Sequence, residues 1–255
     1  MNIELITVGP FEVNCAVVWG DTQQAFVIDP GFDAPLIESC LAANGLAVAA
    51  YLLTHGHADH ISSLAELHAA RPAPVYIHTQ DLKWAFGEKN QIPSYYPVPK
   101  NPDAEFFDPT NPPRPTGTPP QEGTPPDPLQ RKGGRSNLST DALTKVTNGG
   151  SSNDWNPLGK SSELQLCCME TPGHTPGGVC YWFKDEEVCF TGDTLFKGSC
   201  GRTDLPGGDA RTLSTSLKKL AQLPPQTRVI AGHGDGTTIA YELKTNFFLK
   251  SGPAG

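Results

Sequence analysis

The stretch Val48-Ala49-Ala50-Tyr51-Leu52-Leu53-Thr54-His55-Gly56-His57-Ala58-Asp59-His60 decides how this chain is read. Its first six residues are an apolar run of the kind that forms a buried strand, and the next seven hold three imidazoles and a carboxylate. Nitrogen donors with one hard oxygen donor suit zinc, iron or manganese. His55 and His57, two apart in an extended loop, can converge on one ion. Asp59 and His60 open the segment Ile61 to His68, whose positions 61, 64, 65 and 68 share a helix face, so this pair sits at a helix start and can face a second ion. A chance cluster in a polar loop is the bland alternative, and neither helix nor strand packing asks for such a pattern.

The 255 residues around this loop can bury a full-sized core. A formal net charge of −8 argues against a protein that tracks nucleic-acid phosphates. Glu4 stands where a signal peptide carries basic residues, and no stretch approaches the roughly 18 to 20 apolar residues of a membrane span. The expectation is a soluble cytoplasmic protein with neither nucleic acid nor membrane as partner. Seven cysteines, an odd number without paired spacing, read as reduced thiols.

Ile3 to Val8, Ala16 to Trp19 and Gln24 to Ile28 read as an opening β-meander broken at Gly9-Pro10 and ended by Asp29-Pro30-Gly31. Asp33 is expected to cap a helix that carries Ile37, Cys40 and Leu41 and stops at Asn44-Gly45. The strand at 48–53, a helix from about Asp59 to Ala70 and a short strand at 75–78 follow. From 97 to 162 the chain turns rich in proline, glycine and serine, and it is expected to be a low-complexity, solvated insertion within a single domain spanning 1–255. Order returns with strands at 164–169, 179–183 and 187–191, a helix from Ala210 to Leu223 bearing Leu213, Leu217 and Leu220, a strand at 228–231 and a short helix after Thr237-Thr238. Strand and helix alternate in both halves, which implies an α/β layer structure with sheet packed on sheet.

Three more loops after strands each hold one potential ligand between glycines or prolines: Thr171-Pro172-Gly173-His174-Thr175-Pro176-Gly177-Gly178, Thr191-Gly192-Asp193-Thr194 and Gly232-His233-Gly234-Asp235-Gly236. With the first motif they place five of the seven histidines in strand-end loops. His68 and His78 stand apart and read as structural, and Cys200 reads as a small loop residue.

The order His55-x-His57-x-Asp59-His60, then His174, Asp193 and His233, resembles the metallo-β-lactamase-fold hydrolases. Within them Phe190-Thr191-Gly192-Asp193-Thr194-Leu195-Phe196 and Gly198-Ser199-Cys200-Gly201-Arg202-Thr203-Asp204 are similar to the glyoxalase II-like group. The resemblance covers about residues 1–95 and 163–250. It implies an αββα sandwich with the site at one edge of the two sheets. It also implies two divalent ions, zinc first with iron or manganese as alternatives, His55, His57 and His174 on one, Asp59, His60 and His233 on the other, and Asp193 bridging. Asp59 and Asp193 become the catalytic carboxylates, Asp29 a support behind the ligands, and Arg202 a contact for the substrate. Two ions about 3.5–4 Å apart lower the pKa of a shared water and present hydroxide to a carbonyl. The activity implied is hydrolysis of a small-molecule thioester, with the glutathione derivative S-lactoylglutathione as the type substrate.

Departures keep other readings in view. Full-length glyoxalase II has a helical C-terminal domain that helps hold glutathione, and that domain is expected to be missing here. Arg202 stands where that enzyme is expected to carry lysine, which changes the geometry offered to a carboxylate. Persulfide dioxygenases resemble the sequence around Gly201 to Asp204 but use one iron, which leaves Asp59, His60 and His233 without a task. The common zinc β-lactamases have cysteine at the place of Asp193. A non-catalytic metal-binding module would most simply have lost a ligand, and all seven positions are filled.

Overall fold

The computed structural model describes residues 1–111, 156–161 and 164–251. Strands β1 (Asn2–Val8), β2 (Val13–Trp19) and β3 (Gln24–Ile28) form the antiparallel meander, and β3 then pairs in parallel with β4 (Ala47–Leu52). Helix α1 (Ala34–Ala43) crosses between them. Asp33 stands at its N-cap with φ 53°, but its carboxylate accepts the Gly9 amide at 2.9 Å rather than a helix N–H. The capping expected of it is replaced by a tether to the β1–β2 turn. Gly45, at φ 61°, ends the helix as expected.

The helix expected from Asp59 to Ala70 is two pieces, α2 (Ala58–Ile61) and α3 (Leu64–Ala70). The break has a cause: the Ser63 amide donates to the Pro30 carbonyl at 3.1 Å, while the Asp59 carbonyl abuts Gly31, where a Cβ would not fit. Next come β5 (Val75–Tyr76), α4 (Thr79–Leu82) and β6 (Phe106–Phe107), which extends the first sheet in parallel. The expectation of an insertion without packed structure from residue 97 onward fails at this strand. Phe106 lies 5.7 Å from the Phe86 ring and Phe107 5.4 Å from Tyr76, so two aromatics inside the proline-rich tract bury enough surface to join the sheet. At its far end β7 (Asn156–Ser161) pairs with β8 (Leu164–Glu170). Residues 112–155, the middle of the expected insertion, lie outside the described residues.

The second sheet runs in the order β14-β13-β10-β9-β8-β7, with β9 (Val179–Phe183), β10 (Val188–Gly192), β13 (Arg228–Ala231) and β14 (Thr237–Thr238). A hairpin, β11 (Leu195–Phe196) and β12 (Ser199–Cys200), follows β10; α5 (Ala210–Leu220) precedes β13; α6 (Ile239–Thr245) and α7 (Phe247–Ser251) follow β14. Alternation along the strands builds the layers. In β2, Cys15 and Val17 face α1 and α3, while Ala16 and Val18 face the other sheet. Phe26, Ile28, Leu52, Tyr181, Phe183 and Phe190 fill the space between sheets, and Leu213, Leu217 and Leu220 of α5 cover the outer face of the second. Each such burial stabilises by roughly 1.5–3 kcal/mol. The result is an αββα sandwich. At one edge its sheets are stitched together, Asn14 N to Gly232 O and Val179 N to Thr54 O at 2.8 Å each, and there the ligand loops emerge.

Candidate metal centre

All seven expected side chains converge. His55 and His57 follow β4, His174 lies in the β8–β9 loop, Asp193 follows β10, and His233 follows β13. Three overlapping groups could each hold an ion: His55, His57 and His174; His55, His60 and Asp193; Asp59, His60 and His233, the ligand atoms within each lying within 4.8 Å of one another. His57 Nδ1 faces His174 Nε2 at 3.0 Å, and His60 Nε2 faces His233 Nε2 at 3.3 Å. Asp193 stands between, with Oδ1 3.4 Å from His60 Nε2 and Oδ2 3.5 Å from His174 and 3.6 Å from His233.

In four of the five rings the protein holds the nitrogen that faces away from the cluster. His60 Nδ1 lies 3.0 Å from Asp29 Oδ2, His174 Nδ1 2.8 Å from the Arg202 carbonyl, and His233 Nδ1 2.8 Å from the Phe11 carbonyl. His55 Nδ1 meets the Thr54 hydroxyl at 3.1 Å. A carbonyl or carboxylate can only accept, so in His60, His174 and His233 Nδ1 carries a proton, which leaves Nε2 as the nitrogen that a metal ion would take. Asp29 also accepts the Thr54 amide and hydroxyl, at 2.7 and 2.6 Å, which ties the end of β3 to the end of β4.

Buried His55 Nε2 and Asp193 Oδ1 make no hydrogen bond, although each points among the others. Unsatisfied buried polar atoms cost free energy, and a cation satisfies both, so the donor set fits metal. The charges of the cluster are strongly coupled. Burial, then the neighbouring imidazoles, push His55 far down, and burial with His174 and His60 pushes His57 down to about 3. Burial also disfavours charge on His60, but Asp193, Asp59 and Asp29 overcome it and raise it to about 10. Burial likewise opposes ionisation of Asp193, and His60, His233 and His174 outweigh it and hold the carboxyl below its usual range.

A model of the metallo-beta-lactamase superfamily matches residues 8–138 and 169–233. The chain belongs to that superfamily. Hydroxyacylglutathione hydrolase GloC of Haemophilus influenzae is 32% identical over 252 residues, covering 98% of this chain and 99% of its own. Among solved structures, BLEG-1 B3 metallo-beta-lactamase superposes with TM-score 0.67 at 31% identity, over 98% of this chain and 100% of that one. TTHA1623 in a di-iron-bound form superposes with TM-score 0.67 at 30% identity, over 96% and 100%. This chain is a metallo-hydrolase of the metallo-β-lactamase superfamily, and its clusters of histidine and aspartate point to a dimetal site. No helix among the described residues is long and apolar enough to cross a membrane.

Side chains outside the seven complete this metallo-β-lactamase-type centre. Fully buried Asp81 and buried Asn90 escape a reading of the sequence, yet both hold the first loop: Asp81 accepts the Gly56 amide at 2.9 Å, and Asn90 accepts the Ala58 amide at 3.1 Å and donates to the Gly56 carbonyl at 2.7 Å. Neither stands in a glycine- and histidine-bearing loop like those of the ligands, so no local signal marks them. The exposed Arg202 guanidinium is bidentate to Asp204 at 2.7 and 2.8 Å, so the part of Arg202 that touches the centre is its carbonyl. Cys200 is no thiolate, since burial pushes it up to about 11. His68 packs against Tyr51, with ring centroids 6.2 Å apart, and His78 accepts the Gln80 amide at 3.1 Å to cap α4, both apart from the cluster.

Proposed function

We propose that the protein hydrolyses thioesters of small molecules, with glutathione-derived thioesters as the leading class. His55, His57 and His174 hold one divalent ion, Asp59, His60 and His233 a second, and Asp193 serves both. Zinc is the first choice, and iron, as in the di-iron neighbour, or manganese the next. The observation that carries the reading is the Asp193 carboxylate, one oxygen toward His60 and the other toward His174 and His233. Two bound ions supply an acidified water and a Lewis acid for a carbonyl.

The chain's own groups then bind and orient. Asp29, Thr54 and the carbonyls of Phe11 and Arg202 fix the ring tautomers. Asp59 Oδ2, 3.6 Å from His233 Nε2, aligns the second triad. A thiolate leaves near neutral pH without a dedicated general acid, so no further proton donor is called for. Arg202 offers its cation to a substrate carboxylate in exchange for Asp204. The name of the relative, a hydroxyacylglutathione hydrolase at 32% identity over nearly the full length of both chains, supports the substrate class. The free state of all seven cysteines supports a reducing cytoplasm. A second reading, β-lactam hydrolysis, is favoured by the 31% identity to BLEG-1.

The test is metal analysis of protein purified without added metal, followed by assay with S-lactoylglutathione, a cephalosporin and, with an oxygen electrode, glutathione persulfide. About two ions per chain with thioester turnover support the proposal. A single iron with oxygen uptake replaces it with persulfide oxidation, and turnover of the cephalosporin alone replaces it with the second reading.

A further inference from the structure

Two backbone carbonyls orient imidazoles in different triads, that of Arg202 at His174 and that of Phe11 at His233. The residues that supply them carry a guanidinium in one case, bidentate to Asp204, and in the other a phenyl ring packed on Tyr95 and Tyr96. The second triad is open at His233, whose side chain is 27% exposed against 10% for Asp59 and 0% for His60.

Beside this opening Phe11 and Tyr95 stand 38% and 54% exposed, their ring centroids 5.3 Å apart. They are not loose. Tyr96, buried to 1%, packs edge-on beneath Phe11 at 5.3 Å, lies 5.4 Å from Phe32, and accepts the Phe11 amide through its hydroxyl at 3.3 Å. A braced aromatic pair in water is costly unless something covers it, and this one includes the very residue whose carbonyl holds a ligand histidine. Two cations near the centre are already engaged, Arg202 with Asp204 at 2.8 Å and Lys197 with Asp235 at 2.9 Å. The exposed rings of Phe11 and Tyr95 favour an apolar group, and a substrate carboxylate can replace Asp204 on the exposed Arg202 guanidinium.

We propose that Phe11 and Tyr95 are specificity-determining residues that receive the acyl group of the substrate, and that the preferred acyl group is aromatic or a longer aliphatic chain rather than a small hydroxyacyl unit. The inference rests on the thioesterase reading, with the thiol carrier lying toward Arg202.

The test uses the metal-loaded full chain and an acetyl, lactoyl, hexanoyl and benzoyl series on one thiol, glutathione. The expected result is kcat/KM roughly tenfold or more higher for benzoyl than for acetyl, carried by KM. In Phe11→Ala and, separately, Tyr95→Ala the ratio falls toward one at wild-type metal content. Calorimetric binding of S-phenacylglutathione against S-acetonylglutathione, neither of which is a thioester, reads the same preference without turnover. Hydrolysis indifferent to acyl size, or a preference that survives both substitutions, overturns the platform and leaves the thioesterase reading intact. Phenacyl-selective binding that Tyr95→Ala abolishes, in a protein that hydrolyses none of the thioesters, upholds the platform and overturns the reaction.

Discussion

Asp81 accepts the Gly177 amide at 2.7 Å through Oδ1, while its Oδ2 accepts the Gly56 amide at 2.9 Å and the Thr175 hydroxyl at 2.8 Å. One buried carboxylate on α4 thus clasps the loop of His55 and His57 to the loop of His174, although 96 residues separate Asp81 from Gly177. Burial raises its pKa against the pull of these three bonds, so the carboxylate depends on keeping all of its partners. Asp81→Ala leaves two buried amides unsatisfied. The expected loss is about 3 kcal/mol in urea unfolding, with reduced metal per chain. Stability within about 0.5 kcal/mol of wild type would show that the clasp is ornamental.

Asp193→Ala removes the one carboxylate among the described residues that reaches both triads, so metal content should fall from about two ions to less than one, and turnover with it. His233→Ala touches only the second triad and should leave about one ion in place. Equal retention in the two variants would contradict a shared carboxylate.

Gly232 packs against Asp193 Oδ1, and a Cβ there would stand 2.7 Å from His60 Cε1. Both neighbours are held in place, so Gly232→Ala should displace a ligand and abolish binding at the second triad. Gly234, two residues on at φ +72°, would have no atom within 4 Å of an added Cβ, and Gly234→Ala should cost only the left-handed backbone strain of about 1–2 kcal/mol. Metal analysis of the two variants side by side separates crowding from strain.

The ligands were legible because they either cluster in one motif after a strand or stand among glycines and prolines, and strand periodicity told which loops they share an edge with. What holds them was not. The Phe11 carbonyl that fixes His233 could come from any residue, so no side chain announces it. Asp81 lies in Thr79-Gln80-Asp81-Leu82, an ordinary polar turn until the fold brings residues 56 and 177 to it. The break between α2 and α3 depends on the Pro30 carbonyl reaching Ser63, a long-range bond that helical periodicity over 61–68 cannot register. Phe106 and Phe107 were hidden by averaging, since two aromatics vanish in the composition of a proline-rich tract yet suffice to extend a sheet by one short strand.

Asp108 follows that strand and accepts the Thr110 amide and hydroxyl at 2.9 and 2.7 Å and the Thr79 amide at 3.2 Å, joining the end of β6 to the start of α4. Burial raises its pKa, but these bonds and the nearby His78 outweigh it, and the pKa ends below the usual aspartate value. A folded pKa below the unfolded value, about 3.9, means stability that is present above that value and is lost as pH falls through the folded pKa. In metal-free protein, Asp108→Asn should therefore cost about 1 kcal/mol at pH 7, a figure already reduced for partial exposure. The gap to wild type should narrow below about pH 4 and close once both forms are uncharged. Urea unfolding at about pH 7, 4 and 3 reads it directly, and a gap of the same size throughout would mean that shape, not charge, is what Asp108 contributes to the α4 junction on which Asp81 stands.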